Sequence, residues 1–136
     1  MPLIAQIFAG IAAALHVLFF YLESVAFTKG STYKSFGLAT KEEADVVKPM
    51  ALNQGFYNLF LAIGVVVGLV VGEYRLSDGM RYGEGFVDGT ALVGFGCAVM
   101  VGAAIVLLIS SKGKLLRGAL IQGVAPLIAL IALIVG

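Results

Sequence analysis

The sequence predicts an all-α, polytopic membrane protein: four transmembrane helices, with a short amphipathic cytoplasmic helix in the first connection. Three observations carry this. Of 136 residues, 60% are hydrophobic and 12% charged, too little polar surface for a soluble core. The mean hydropathy is +1.03. The charges are confined to three short stretches, leaving four apolar runs of approximate spans 3–27, 50–72, 89–110 and 118–136 in a single domain. About 20 apolar residues cross the ~30 Å hydrocarbon layer as a helix, and each run is near or above that length. None alternates as a membrane strand would. A helix also satisfies its own backbone polar groups, which lipid cannot do.

The first run has no basic leader, is longer than a signal-peptide core and carries His16 and Glu23, so it reads as a retained helix. In the connection that follows, Thr40-Lys41-Glu42-Glu43 fits a capping box, with a surface helix expected from Lys41 towards Lys48. Pro49 then either opens the second membrane helix or kinks a continuous one. Gly64, Gly68 and Gly72 in the second run, and Gly94, Ala98 and Gly102 in the third, form stripes that let backbones approach closely or serve as a homodimer face. Between these runs, Gly79, Gly83 and Gly85 with Asp78, Glu84 and Asp88 read as an outer turn; the spacing matches no calcium loop. Pro126 is expected to kink the fourth run. Lys29, Lys34, Lys41, Lys48, Lys112, Lys114 and Arg117 fall in or beside the first and third connections, against Arg75 and Arg81 in the second. That bias predicts first and third connections in the cytoplasm and both termini outside.

Polar groups within the runs are the candidate functional residues, because an ionisable side chain at the bilayer centre costs about 2.5–3.5 kcal/mol. His16 and Glu23 are seven residues apart on one face of the first helix, about 10 Å in height. Asn53, Gln54, Tyr57 and Asn58 occupy one face of the second, an arc of about 140°. Matching heights in antiparallel neighbours puts Glu23 level with Asn53 and Gln54, and His16 level with Asn58; Gln122 of the fourth run falls near the Glu23 level. The expectation is a polar pocket in the cytoplasmic half. The plainer alternatives are amides linking helices at roughly 0.6 kcal/mol each, a solvated helix end at Glu23, and a buried histidine bonded to a neighbour.

The segments His16-Val-Leu-Phe-Phe-Tyr-Leu-Glu23, Phe36-Gly37-Leu38 and Asn53-Gln54-Gly55-Phe56-Tyr57-Asn58 together resemble an uncharacterised family of small bacterial four-helix membrane proteins, a domain of unknown function. The resemblance covers nearly the whole chain and implies the four-helix fold. It implies no activity.

Several functions are excluded or disfavoured by the residues present. A net charge of +1 offers nothing to nucleic acid. One histidine, one glutamate and neutral amides are too few strong ligands for a metal, and no cofactor is expected. Cys97 stands alone in an apolar helix, so nucleophilic catalysis has no base. The leading expectation is a pocket for a small amphiphilic or lipid-like ligand. His16 and Glu23, the candidate catalytic pair, would handle protons, while Asn53, Gln54, Tyr57, Asn58 and Gln122 orient the ligand. The alternatives are a proton-coupled exporter acting as a homodimer and a structural or accessory membrane subunit.

Overall fold

A computed structural model of the chain describes residues 1–77 and 88–136. Four helices run up and down: α1 Leu3–Phe20, α2 Lys41–Ser77, α3 Gly89–Ser110 and α4 Leu116–Val135. All four are long and apolar enough to cross a bilayer. Each packs against its neighbours in sequence, and α4 closes back on α1, which leaves α1 diagonal to α3. The outer turn expected around Asp78, Gly79, Gly83, Glu84 and Gly85 lies outside the described residues. Asp88 at its end is described: its Oδ1 accepts from the Thr90 amide at 2.9 Å and caps α3.

The expected capping box starts α2. The Glu43 amide donates to Thr40 Oγ1 at 3.2 Å, and Glu43 Oε2 accepts from the Ala39 and Thr40 amides at 2.8 and 3.4 Å. The helix foreseen from Lys41 is the first part of α2, which runs on through Pro49 as one 37-residue element. At 1.5 Å per residue that is about 55 Å, well beyond the hydrocarbon thickness. The charged turns before Pro49 therefore project from the apolar layer. Before them, a 3₁₀ turn at Thr32–Phe36 follows α1 and ends on Gly37, whose φ of 83° suits a residue without a Cβ. Pro126 sits fully buried inside α4, which continues through it.

Packing is the reverse of a soluble core. Alanines fill the interior, among them Ala9, Ala12, Ala13, Ala62, Ala125 and Ala129. Large side chains such as Ile4, Ile11, Val66, Phe95, Ile105 and Ile131 point outwards. Lipid is as apolar as leucine, so helices gain nothing by hiding bulk; they gain by approaching closely. A Cβ on Gly68 would lie 2.9 Å from the Gly89 carbonyl, and one on Gly96 would lie 2.5 Å from Val65 Cγ2. These two glycines make the α2–α3 crossing, while Gly123 performs the same service against Ala104 between α3 and α4, at 2.8 Å. The stripes read from the sequence are only partly used: Gly64 and Gly102 have nothing within 4 Å, and Gly94 meets Leu133 only at 3.8 Å.

This difference is testable. Gly68→Leu should lower stability by about 1–3 kcal/mol through overpacking. Gly64→Leu, four residues away, should leave it within about 0.5 kcal/mol. Reversible unfolding in mixed micelles reads both, and equal losses would show that the α2–α3 crossing has been misplaced.

Candidate functional site

The site begins where α1 departs from regular geometry. Its last turn, Tyr21–Val25, is a π-turn in which the Ala26 amide donates to the Tyr21 carbonyl at 2.9 Å. A π-turn sets about one extra residue into the turn. Here Glu23 and the adjacent Ser24 both reach α2. Ser24 Oγ donates to the Leu52 carbonyl at 3.1 Å, and Asn58 Nδ2 donates to Glu23 Oε2 at 2.7 Å. Gly55 lies between these two contacts. A Cβ there would collide with Ser24 Oγ and lie 3.1 Å from Glu23 Cβ and 3.2 Å from the Phe20 carbonyl. Only a glycine lets the π-turn rest directly on the α2 backbone.

The pairing corrects the expected register. Asn58 was matched in height to His16, yet it bonds Glu23. Side chains on a helix lean towards its N-terminus, and α1 and α2 run in opposite directions. Glu23 therefore leans deeper into the bundle while Asn58 leans towards the first connection, and the two close a gap that backbone heights leave open. The same lean carries His16 the other way. Its Nδ1 lies 2.9 Å from the Ala12 carbonyl one turn earlier, and its ring meets Phe19 edge-on. His16 is wholly buried, and its Nε2 has no hydrogen-bond partner among the described residues.

Against the Glu23–Asn58 pair lies a cavity of about 360 Å³ reaching towards α3 and α4. Its polar lining is Glu23, Gln54, Asn58 and Gln122, with Ser35 and Ser110 at the side of the first and third connections. Its apolar walls include Phe19, Ala103, Val106 and Leu107. Phe36, at the end of the 3₁₀ turn, closes one side and packs on Phe27 with ring centroids 5.5 Å apart. Two further cavities border Glu23: one of about 350 Å³ towards Leu38, Val47 and Met50, the other of about 340 Å³ towards Lys29 and Lys48. The volume of the first, and its mixture of apolar wall and few polar groups, suit a small organic molecule.

Of the seven residues singled out from the sequence, Glu23, Gln54, Asn58 and Gln122 come together on this cavity. Asn53 and Tyr57 do not; both are exposed on the outer side of α2, Tyr57 to 58%. His16 lines none of the three cavities. Sequence reasoning passed over Ser24, Ser35 and Ser110, and gave Gly55 and Phe36 no part in the site although both fall in the segments that carry the family resemblance. Gly55 carried a usable sign, since a glycine inside an otherwise polar helix face marks where a neighbouring backbone lands. Among the described residues, no group of three or more His, Cys, Asp or Glu side chains is placed to hold a metal ion.

No curated protein and no solved structure matches the chain. A family model does, over residues 10–134, a stretch that contains every residue of the cavity lining. The chain therefore belongs to the family described as protein of unknown function, DUF1304, a description that assigns the fold no activity.

Proposed function

We propose that this membrane protein binds a small amphiphilic, lipid-like molecule in the cavity beside the π-turn, with Glu23 handling its proton or polar end. The observation that carries the reading is the Glu23–Asn58 hydrogen bond at the wall of an otherwise apolar space. Asn58 occupies Glu23 Oε2, and among the described residues Glu23 Oε1 has no hydrogen bond. An oxygen held in place by a buried amide is a ready acceptor for a hydroxyl, amine or quinol donor. Gln54 and Gln122 each offer a donor and an acceptor to the same polar end, while Val106, Leu107 and Phe19 suit an isoprenoid or acyl body. His16, bonded within its own helix, has no part in this reading.

Binding is better supported than passage. The cavity lining is drawn from the side of the first and third connections, and the bundle beyond is closed by the alanine core around Ala9, Ala12 and Ala62. The seven-to-two excess of basic residues in and beside those connections favours a cavity opening towards the cytoplasmic leaflet of a bacterial inner membrane, with both termini outside.

Two outcomes follow. A bound amphiphile at a hundredfold excess over its Kd should stabilise the protein by about 2.7 kcal/mol. Gly118→Leu should remove that gain while leaving the unliganded fold intact, because a Cβ at this cavity-lining position has only ordinary contact with Leu107 Cδ2 at 3.8 Å. Thermal unfolding against a panel of long-chain alcohols, amines and quinols reads both. If every member of the panel shifts wild type and Gly118→Leu alike, the cavity is not the site. Separately, a double-mutant cycle of Glu23→Ala and Asn58→Ala should give a coupling of about 0.6–2 kcal/mol. A coupling of zero would mean that the two side chains do not meet.

A further inference from the structure

The cavity bordered by Lys29 and Lys48 shares Glu23 with the proposed ligand cavity but is otherwise lined by different residues, and its chemistry is different. It sits where the end of α1 crosses the start of the membrane part of α2, with a volume of about 340 Å³. Its polar lining combines the two lysines with Ser24 and Thr28. Both lysines are placed by local structure. The Lys29 amide donates to the Ala26 carbonyl at 2.9 Å immediately after the π-turn, and Lys48 directly precedes Pro49 within α2. Among the described residues neither lysine forms an ion pair. Glu23 also borders the space, but its Oε2 is turned to Asn58.

Apolar side chains continue from this basic rim towards the membrane interior. Val25 and Leu52 line the cavity, and both are nearly half exposed, as is Phe56 one turn further along α2. The apolar span of α1 ends at Val25, so Lys29 stands at the height where headgroups begin. Two cations that form no ion pair among the described residues, against a single carboxyl already bonded to Asn58, stand over an apolar seam and match one kind of molecule: an anion joined to hydrocarbon chains and supplied by the surrounding bilayer. We propose that this crevice is a binding site for an anionic phospholipid, with the phosphate between Lys29 and Lys48 and an acyl chain along Val25, Leu52 and Phe56. The site goes beyond the proposed ligand cavity and does not depend on it, because Lys29 and Lys48 do not line that cavity.

Native mass spectrometry of the detergent-purified chain, titrated with phosphatidylglycerol or phosphatidylcholine, tests the assignment. The wild type should retain phosphatidylglycerol in preference to phosphatidylcholine. Each lysine near an anionic headgroup contributes about a factor of five, so a Lys29→Gln, Lys48→Gln double variant should hold phosphatidylglycerol roughly 25-fold more weakly. A Lys112→Gln, Lys114→Gln variant removes the same charge from the α3–α4 connection and should stay within about twofold of wild type. Unchanged melting of both variants would confirm that folding is not what is being read. Equal retention of the two lipids by wild type overturns the assignment, as does an equal loss in both variants. Inorganic phosphate bound with the same lysine dependence and the same affinity as the lipid would overturn it too, since the acyl seam would then contribute nothing.

Discussion

The hydrogen bond from Asn58 to Glu23 is the constraint around which the rest of the bundle is arranged. A carboxyl group placed on a membrane helix carries a penalty of a few kcal/mol that hydrophobic burial cannot offset, because lipid and protein interior are equally apolar. A donor at short range offsets it within the bundle, and Asn58, itself 4% exposed, supplies one across the α1–α2 boundary at 2.7 Å. Reaching that distance requires the two backbones to be close. Gly55 removes the side chain that would hold them apart, the π-turn brings Ser24 down onto the Leu52 carbonyl, and Pro49 lies within one turn before Leu52. Three departures from ordinary helix composition or geometry, Gly55, the π-turn and Pro49, thus fall within one short stretch of the α1–α2 interface.

Elsewhere the helices keep to simple close packing, and this contrast gives the cavity its place. Alanines and the glycines at 68 and 96 draw α2 and α3 together over the half of the bundle away from the first connection, while Gly123 on Ala104 draws α3 and α4 together beside the cavity. Near that connection the polar residues and Phe36 hold the helices with space between them, which is where about 360 Å³ opens. The polar groups of the cavity lining are concentrated at one end.

Much of the fold was legible because it rests on properties that single residues carry. Run length and charge placement located all four helices, and the Thr40–Glu43 spacing located the start of α2, since a capping box is a local arrangement. The site was legible only in part, for geometric reasons. Counting heights along two helices treats side chains as perpendicular to the axis, whereas Glu23 and Asn58 lean towards each other and His16 leans away. The polar arc of α2 was too broad to face one space, so Asn58 is buried and Gln54 borders the cavity from an exposed position, while Asn53 and Tyr57 turn out. The π-turn has no mark in residue spacing, because shifting one backbone hydrogen bond alters no periodicity over five residues. Small-residue stripes overstated the contacts: Gly68 is at an interface and Gly64 is not, although the pattern treats them alike.

Helix bonding and ligand binding are often set against each other for polar residues in membrane helices, yet at Glu23 they divide between two oxygens of one carboxyl group. Oε2 is committed to Asn58, which fixes the rotamer and holds the group against the cavity wall. A carboxyl without that partner would swing towards water at the helix end, and the cavity would lose its acceptor. The structural bond is therefore a condition for the binding role rather than a competitor to it. The same argument separates Glu23 from His16: the imidazole is also held at one atom, by the Ala12 carbonyl, but its other nitrogen is sealed within the bundle, whereas the carboxyl residue borders three cavities. A polar group in this fold becomes usable when one of its atoms is anchored and another is left facing space, and of His16 and Glu23 that condition is met at Glu23.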